Sequence, residues 1–157
     1  MLTSAMIALL QTCAPMVHPE TMSAVITVES SGNPFAIGVV GGRLVRQPRN
    51  LQEALATVQM LQAGGWNYSL GHAQVNKTNF RRYGLNPETA FDPCTNVRVG
   101  GQILQSCYQA SLATSPRQGD TQYHLARAFS CYYSGRLDSR DGRNYANSVF
   151  SAGRRAK

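Results

Sequence analysis

The sequence is poor in acidic residues, in lysine and in tryptophan, and it lacks a long apolar run. Its 157 residues include 8 Asp and Glu against 15 Lys and Arg, and a single Trp. No stretch approaches the roughly 20 apolar residues of a transmembrane helix, so no transmembrane segment is predicted. Charged residues make up only 15% and hydrophobic residues 43%, which excludes a disordered chain and predicts one globular domain over residues 1–157.

Motifs for metal ions and cofactors are also missing. No CxxC or HExxH pattern occurs, and His18, His72 and His124 are scattered, so neither a metal ion nor a cofactor is predicted. The net charge of +7 indicates an anionic partner, which could be nucleic acid, a membrane surface or an acidic polymer; a role in solubility alone is the alternative. No Lys/Arg cluster alternates with aromatic residues on one element, so nucleic acid is the weakest of these and is not predicted.

The cysteines are even in number and widely spaced, at Cys13, Cys94, Cys107 and Cys131. We interpret them as two disulfides formed in an oxidising compartment; four reduced thiols in the core are the alternative. Residues 5–10, AMIALL, are apolar, but the run is short and no basic segment precedes it. No signal peptide is therefore predicted, and the export route stays open.

A carboxylate completes an apolar helical stripe near the N-terminus. The stripe, with spacing i, i+3, i+4 and i+7, consists of Met22, Val25, Ile26 and Glu29. Gly32 and Pro34 follow and end the helix, which places Glu29 in its last turn. Partial burial and the negative end of the helix dipole both raise the pKa of a carboxyl group, and a neutral carboxyl can donate a proton. Glu29 is the candidate catalytic acid; the alternative is a surface residue at the fringe of the stripe.

Helical spacing and stop signals predict a mainly α-helical fold with one small β-hairpin. The hairpin joins residues 36–40 to 43–47 through Gly41-Gly42. Asn50 is expected to cap one helix, and Thr95 or Asn96 a longer one that packs closely through Gly100 and Gly101. The predicted helices cover residues 6–13, 19–29, 51–61, 80–83, 87–91, 97–108, 125–132 and 145–152, with a polar link containing Pro116 over 110–121.

Residues 66–76, WNYSLGHAQVN, are rich in side chains that can bind a ligand. If the segment is extended, its period of two places His72, Gln74 and Asn76 on one face. Gly71 would then let a ligand approach the backbone closely. Tyr68, Gln74 and Asn76 are the candidate binding residues, and an ordinary loop is the alternative.

Four motifs follow one another along the chain: VESSGNP at 28–34, GHAQVN at 71–76, FDPCTNVRVGGQIL at 91–104 and ARAFSCYYSG at 126–135. Together they resemble the soluble lytic transglycosylase, or goose-lysozyme-like, family. The elements CAP, ES-GNPFAIG, LVRQP and FDPC are similar to those of its peptidoglycan-cleaving members carried by type IV secretion and conjugation systems. The resemblance implies a lysozyme-like α+β fold, and the expected disulfides indicate a periplasmic location. The resemblance also implies peptidoglycan glycan strands, and secretion or conjugation proteins, as partners.

On this resemblance Glu29 is the catalytic acid/base, and Ser30, Gln74 and Tyr132 are groove residues that orient the glycan and the acid. The chain departs from the family pattern in two places. The Gly-Leu-Met-Gln box of the family is Gly71-His72-Ala73-Gln74 here, so a large apolar side chain would be lost from the groove. Tyr133 replaces the asparagine that usually follows Tyr132.

A single catalytic carboxylate suits a reaction in which the substrate assists. Most glycosidases use two carboxylates. Here the N-acetyl group of the sugar would attack the anomeric carbon, and the family chemistry would close a 1,6-anhydro ring on MurNAc after cleavage of the MurNAc-β-1,4-GlcNAc bond. Hydrolysis of the same bond, as in lysozymes, is one alternative. A wall-binding module without turnover is another, and a nucleic-acid-binding protein is a distant third.

The disulfide pairing can be narrowed by geometry. Cys94 and Cys107 bracket one predicted helix about 20 Å apart, and a disulfide needs Cα atoms within roughly 7 Å. That pair, and with it Cys13–Cys131, is therefore excluded. In an antiparallel helical hairpin that turns near Ser115, Cys94 and Cys131 would lie at the open end. The sequence thus predicts Cys94–Cys131 and Cys13–Cys107.

Overall fold

The computed structural model describes residues 3–115 and 119–157, and Pro116 of the predicted link lies outside them. The described chain is mainly helical with a small antiparallel sheet, which confirms the predicted lysozyme-like α+β class. The α-helices are α1 Ser4–Cys13, α2 Pro19–Ser30, α3 Leu51–Ala63, α4 Phe80–Tyr83, α5 Pro87–Phe91, α6 Pro93–Thr114, α7 Thr121–Ser134 and α8 Arg140–Arg155. The strands are β1 Ile37–Val39, β2 Tyr68–Leu70 and β3 Val75–Asn76, and a 3-10 turn spans Lys77–Asn79.

Local capping explains where most helices begin. The Asn50 side chain accepts a hydrogen bond from the Glu53 amide over 2.9 Å, as predicted. The predicted cap of the longest helix is wrong, because Asp92 fills that position and accepts from the Thr95 amide over 2.9 Å. Asn96 lies one turn further on and is fully buried, so its side chain makes its hydrogen bonds inside the protein.

The predicted hairpin between residues 36–40 and 43–47 is wrong. β1 pairs antiparallel with β2, Ile37 facing Leu70, and β2 pairs with β3. Residues 43–47 form no strand. The Gln47 side chain instead takes the place of a neighbouring strand, because its amide accepts from the Ile37 N–H over 2.8 Å and donates to the Ile37 carbonyl over 3.0 Å.

Residues 71–74 form a turn, so the predicted alternation of side chains does not apply to them. Gln74 has a φ of 50°, which reverses the chain between β2 and β3. Asn96 of α6 holds this turn: it accepts from the Ala73 amide over 2.7 Å and donates to the Leu70 carbonyl over 2.8 Å. A Cβ on Gly71 would lie 2.4 Å from the Asn96 amide nitrogen, so the glycine accommodates Asn96 and not a ligand.

The long helix α6 packs closely against the turn and against its neighbouring helices through Gly100. A Cβ at this position would lie 2.6 Å from the Ala73 Cβ, 3.0 Å from the Met22 methyl group and 3.1 Å from the Tyr132 hydroxyl. The predicted close-packing role of Gly100 is thus confirmed. It brings α2, the 71–74 turn and α7 together at one point. None of the helices in the described ranges is both long and apolar enough to cross a membrane.

The cysteines form two disulfides, but the predicted pairing is wrong. The bonds are Cys13–Cys94, with Cα atoms 5.3 Å apart, and Cys107–Cys131, with Cα atoms 5.7 Å apart. Helix α7 has 14 residues against 22 in α6, so it ends before it reaches the start of its partner. Cys131 therefore lies opposite Cys107, and Cys94 is left beside the end of α1.

Candidate active site

One groove of about 1020 Å³ runs over the face of the molecule that carries the motif residues. Its lining comes from the edge of the sheet, the 78–83 segment, α6 and the C-terminal end of α7. Two carboxylates line it, Glu29 and Asp141. Asp141 is exposed in the first turn of α8, whereas Glu29 is half-buried at the end of α2.

Glu29 occupies its position because α2 stops directly after it. Ser31 adopts a left-handed conformation with a φ of 52° and Gly32 follows with a φ of 81°, which turns the chain away from the helix axis. Burial raises the pKa of Glu29 to about 7, and a hydrogen bond from Tyr145 partly opposes that rise. Near neutral pH a large share of Glu29 is therefore protonated, as a general acid requires.

Tyr145 of α8 is the side chain that holds Glu29 in place. Its hydroxyl donates to Glu29 Oε1 over 2.6 Å. Burial, followed by the neighbouring Glu29 charge, raises the pKa of Tyr145, so the hydroxyl keeps its proton and acts as the donor. Helical spacing in the sequence predicts Tyr145 only as the start of a terminal helix. A usable signal was present, because Gly142, Tyr145, Ala146, Val149 and Ala152 form a buried stripe along α8.

Three tyrosine rings lie together beside the acid. Tyr145 stacks in parallel on Tyr133, with ring centroids 4.9 Å apart and an interplanar angle of 12°. Tyr132 is also parallel to Tyr145, with centroids 6.5 Å apart. Tyr133 lines the groove and is 58% exposed, whereas Tyr145 is buried. The acid is thus backed by an aromatic stack with one end open to solvent.

Ser30, Gln74 and Asn76 lie near the groove, but their hydrogen bonds are largely used within the protein. The Ser30 hydroxyl donates to the His72 carbonyl over 2.7 Å and so ties the end of α2 to the 71–74 turn. The Gln74 amide nitrogen lies 3.0 Å from the carbonyl oxygens of Ala36 and Gly71. The Asn76 amide donates to the Ser69 hydroxyl over 3.1 Å. Gln74 and Asn76 line the groove, and Ser30 supports it from behind.

Neither Tyr68 nor Tyr132 is placed as a simple ligand-binding side chain. Tyr68 is 3% exposed within a cluster formed by the sheet and α3, and it is not among the groove-lining residues. Tyr132 does line the groove, but its hydroxyl points inward and donates to the Ala73 carbonyl over 2.5 Å. The structure therefore brings Glu29, Gln74, Asn76 and Tyr132 to one groove and leaves Tyr68 in the core.

The two departures from the family pattern fall in different environments. Ala73 is fully buried against α2 and α6, so this position itself lies in the core. His72 beside it is also buried, and its Nδ1 has no hydrogen-bond partner among the described residues. Tyr133, by contrast, lies in the groove itself. No group of three or more His, Cys, Asp or Glu within residues 3–115 and 119–157 could hold a metal ion.

Comparison with known proteins gives one family and a set of relatives. The family model of the transglycosylase SLT domain matches residues 7–149. The type IV secretion system protein virB1 of Brucella abortus is 54% identical over 129 residues, 82% of this chain and 53% of that protein. Protein virB1 of Agrobacterium fabrum is 31% identical over 141 residues, 89% of this chain and 56% of that protein. The chain spans about half the length of these curated relatives, and no solved structure matches it.

Proposed function

Because the chain belongs to the transglycosylase SLT domain family, we propose that it cleaves the MurNAc-β-1,4-GlcNAc bond of peptidoglycan as a lytic transglycosylase. The observation that carries the proposal is Glu29, a carboxyl group with a pKa near 7 that faces the groove and is held by the Tyr145 hydroxyl. A general acid works best when its pKa is close to the working pH. Burial and the Tyr145 hydrogen bond together give Glu29 such a pKa.

In the first step Glu29 acts as the acid. Its proton passes to the glycosidic oxygen while the bond from that oxygen to the anomeric carbon of MurNAc breaks. The carbonyl oxygen of the MurNAc N-acetyl group forms a new bond to the same carbon from the opposite face. The products are the free GlcNAc hydroxyl and an oxazolinium ring on MurNAc. Tyr145 stabilises the Glu29 carboxylate that results, because its hydroxyl already donates to Oε1.

In the second step the same residue acts as the base. The Glu29 carboxylate takes the proton of the MurNAc 6-hydroxyl, whose oxygen attacks the anomeric carbon. The oxazolinium ring opens, the N-acetyl group is restored and a 1,6-anhydro ring closes. Glu29 is protonated again and no water is consumed. One carboxyl group therefore serves both steps in turn, as general acid–base catalysis allows.

The test is mass spectrometry of muropeptides released from purified cell walls. Products lighter by one water than reducing-end muropeptides are expected from the wild-type protein and not from Glu29→Gln. Loss of clearing in the Glu29→Gln variant, with its fold retained by circular dichroism, would assign the cleavage to Glu29. Binding to the wall without any cleavage by the wild-type protein would overturn the proposal in favour of a binding module.

Hydrolysis of the same bond is the second candidate, and Asp141 is the observation that favours it. This exposed carboxylate lines the groove together with Glu29, and inverting glycosidases use a second carboxylate to activate water. If the reaction is hydrolytic and Asp141 is the base, products carry reducing ends and Asp141→Asn loses activity. If the 1,6-anhydro reaction holds, Asp141→Asn keeps the product mass and most of the rate.

We also propose a cellular setting. The name of the Brucella relative refers to type IV secretion, and this chain carries two disulfides. Both fit a periplasmic enzyme that opens the wall locally for a type IV secretion or conjugation apparatus, with proteins of that apparatus as partners. Fractionation of cells should recover the protein with periplasmic markers. Deletion should lower secretion or conjugal transfer, and wild-type but not Glu29→Gln protein should restore it.

A further inference from the structure

An exposed aromatic ring stands next to the Glu29–Tyr145 pair. Tyr133 is 58% exposed, lines the groove and belongs to the last turn of α7. One face of its ring lies against Tyr145 in a nearly parallel stack with centroids 4.9 Å apart, and 58% of the residue stays exposed. A large ring fixed in this way keeps its orientation without being buried, so it offers a flat, preformed apolar surface in the groove.

We propose that Tyr133 is a sugar-stacking residue, whose open face binds a pyranose ring of the glycan beside the acid. The inference rests on the proposed function, since it takes the groove to bind glycan. In β-1,4-linked N-acetylhexosamines the ring substituents are equatorial, so each face of the sugar presents axial C–H bonds. These are apolar and carry a small positive charge, which complements the negative face of an aromatic ring.

The stack also relates the position of the sugar to the position of the acid. A pyranose on Tyr133 would be the next layer above Tyr145, and the Tyr145 hydroxyl bonds Glu29 directly. The rings of Tyr133 and Tyr145 thus set the distance between the bound sugar and the carboxyl group. An amide side chain at position 133 could offer hydrogen bonds but no aromatic face. Tyr133 therefore favours contact with the axial C–H bonds on a face of the sugar ring.

A structural role is the competing explanation, in which Tyr133 only shields Tyr145 from water. Three substitutions of Tyr133 distinguish the stacking role from the structural role. Tyr133→Phe keeps both the ring and the cover, Tyr133→Leu keeps an apolar cover without a flat face, and Tyr133→Ala removes both. Trp66, 44% exposed and not among the groove-lining residues, offers a control through Trp66→Ala.

The experiment uses the full chain carrying Glu29→Gln, which binds without turnover, and a tetramer of N-acetylglucosamine as the probe. Isothermal titration calorimetry should give equal Kd values for the parent, Tyr133→Phe and Trp66→Ala. Tyr133→Leu and Tyr133→Ala should weaken binding about 3- to 10-fold, the size expected of one aromatic stack. In proton NMR, bound sugar C–H signals should shift upfield with Tyr or Phe at 133 and not with Leu.

The outcomes are distinct from those of the proposed function. Equal affinity of the Tyr133→Leu variant and the parent, without an upfield shift in either, would overturn the stacking role while glycan binding stands. Failure of the parent itself to bind the tetramer or peptidoglycan fragments would overturn the proposed function, and the stacking role with it. Loss of binding by Tyr133→Phe as well as Tyr133→Leu would assign the contact to the hydroxyl and also contradict stacking.

Discussion

The hydroxyl of Tyr145 lies 2.6 Å from Oε1 of Glu29, although 116 positions separate the two residues in the sequence. Glu29 ends the second helix and Tyr145 belongs to the last one. Helix α8 is therefore part of the candidate active site and not only a cover over the core. The Tyr145 hydroxyl opposes the effect of burial on the Glu29 pKa and occupies one of the two carboxyl oxygens, Oε1.

The pH dependence of cleavage should follow the ionisation of Glu29. In the proposed mechanism the protonated form of Glu29 is the reactive one, and the pKa of Glu29 is about 7. Activity should therefore be high at pH 5–6 and fall about tenfold for each pH unit well above 7, as the protonated fraction declines. Initial rates of wall clearing across pH 5 to 9 measure this. A flat profile over that range would contradict the assignment of the basic limb to Glu29.

Glu29→Gln should change stability in a pH-dependent way. The folded state holds the Glu29 proton up to a pKa of about 7 and the unfolded state only to about 4.5, so the wild-type protein loses stability as pH rises between these values. Gln has no proton to lose. The free energy of unfolding of the variant should therefore rise relative to that of wild type, by up to about 3 kcal/mol above pH 7. The shift of the Glu29 pKa from 4.5 to about 7 sets that limit. Urea unfolding at pH 4.5 and pH 8 tests it; an equal difference at both would refute the burial argument.

Tyr145→Phe should shift the pH profile of activity to higher pH. The hydrogen bond from this hydroxyl lowers the Glu29 pKa against the effect of burial, so its removal should raise that pKa further above 7. The ring stack with Tyr133 is kept, because Phe retains the ring. The basic limb of the activity profile should shift to higher pH and kcat should fall while KM changes little. Tyr108→Phe, on α6 and outside the groove lining, is the matched control and should leave the limb in place.

Tyr132→Phe should cost stability more than activity. Its hydroxyl donates to the buried Ala73 carbonyl over 2.5 Å, and the substitution leaves that carbonyl without this donor. Such a loss typically costs about 1–3 kcal/mol. Thermal unfolding and the rate per folded molecule should be measured together. Unchanged stability with a large fall in turnover would instead show that the hydroxyl acts on the substrate or on Glu29.

The disulfide pairing gives a chemical test of the fold. Peptide mapping without reduction should recover Cys13–Cys94 and Cys107–Cys131. Removing the first bond should destabilise the protein more than removing the second, because it closes a loop of 81 residues against 24. The chain-entropy relation gives about 4–5 and 3–4 kcal/mol respectively. A map with Cys94 joined to Cys131 would contradict the register of α6 and α7.

Much of the helical architecture can be predicted from local signals in the sequence. The Asn50 cap and the helices over 80–83 and 87–91 were predicted from a few neighbouring residues each, and the structure has them there. Helix α5 spans Pro87–Phe91 with its own capping box at Asn86. Such features depend on hydrogen bonds within one turn, so the sequence around them is sufficient.

Features that depend on distant partners were missed. Gly41 and Gly42 predict a hairpin turn, but the Gln47 side chain occupies one edge of β1, and β2 pairs with the other. The residue type of Asn96 suits a helix cap, yet its amide satisfies three backbone groups in the core. Tyr145 could be placed on a buried stripe, but nothing near it in the sequence names Glu29 as its partner.

The two disulfides join the cysteines in the order in which they occur, first with second and third with fourth. A chain delivered into an oxidising space with its N-terminus first exposes each pair completely before the next one arrives. An oxidant that joins each cysteine to its nearest free predecessor would thus reach the native bonds directly, with no wrong bond to undo. For these four cysteines we therefore expect formation of the native bonds to require an electron acceptor and no disulfide isomerase, and it should proceed normally in cells that lack one.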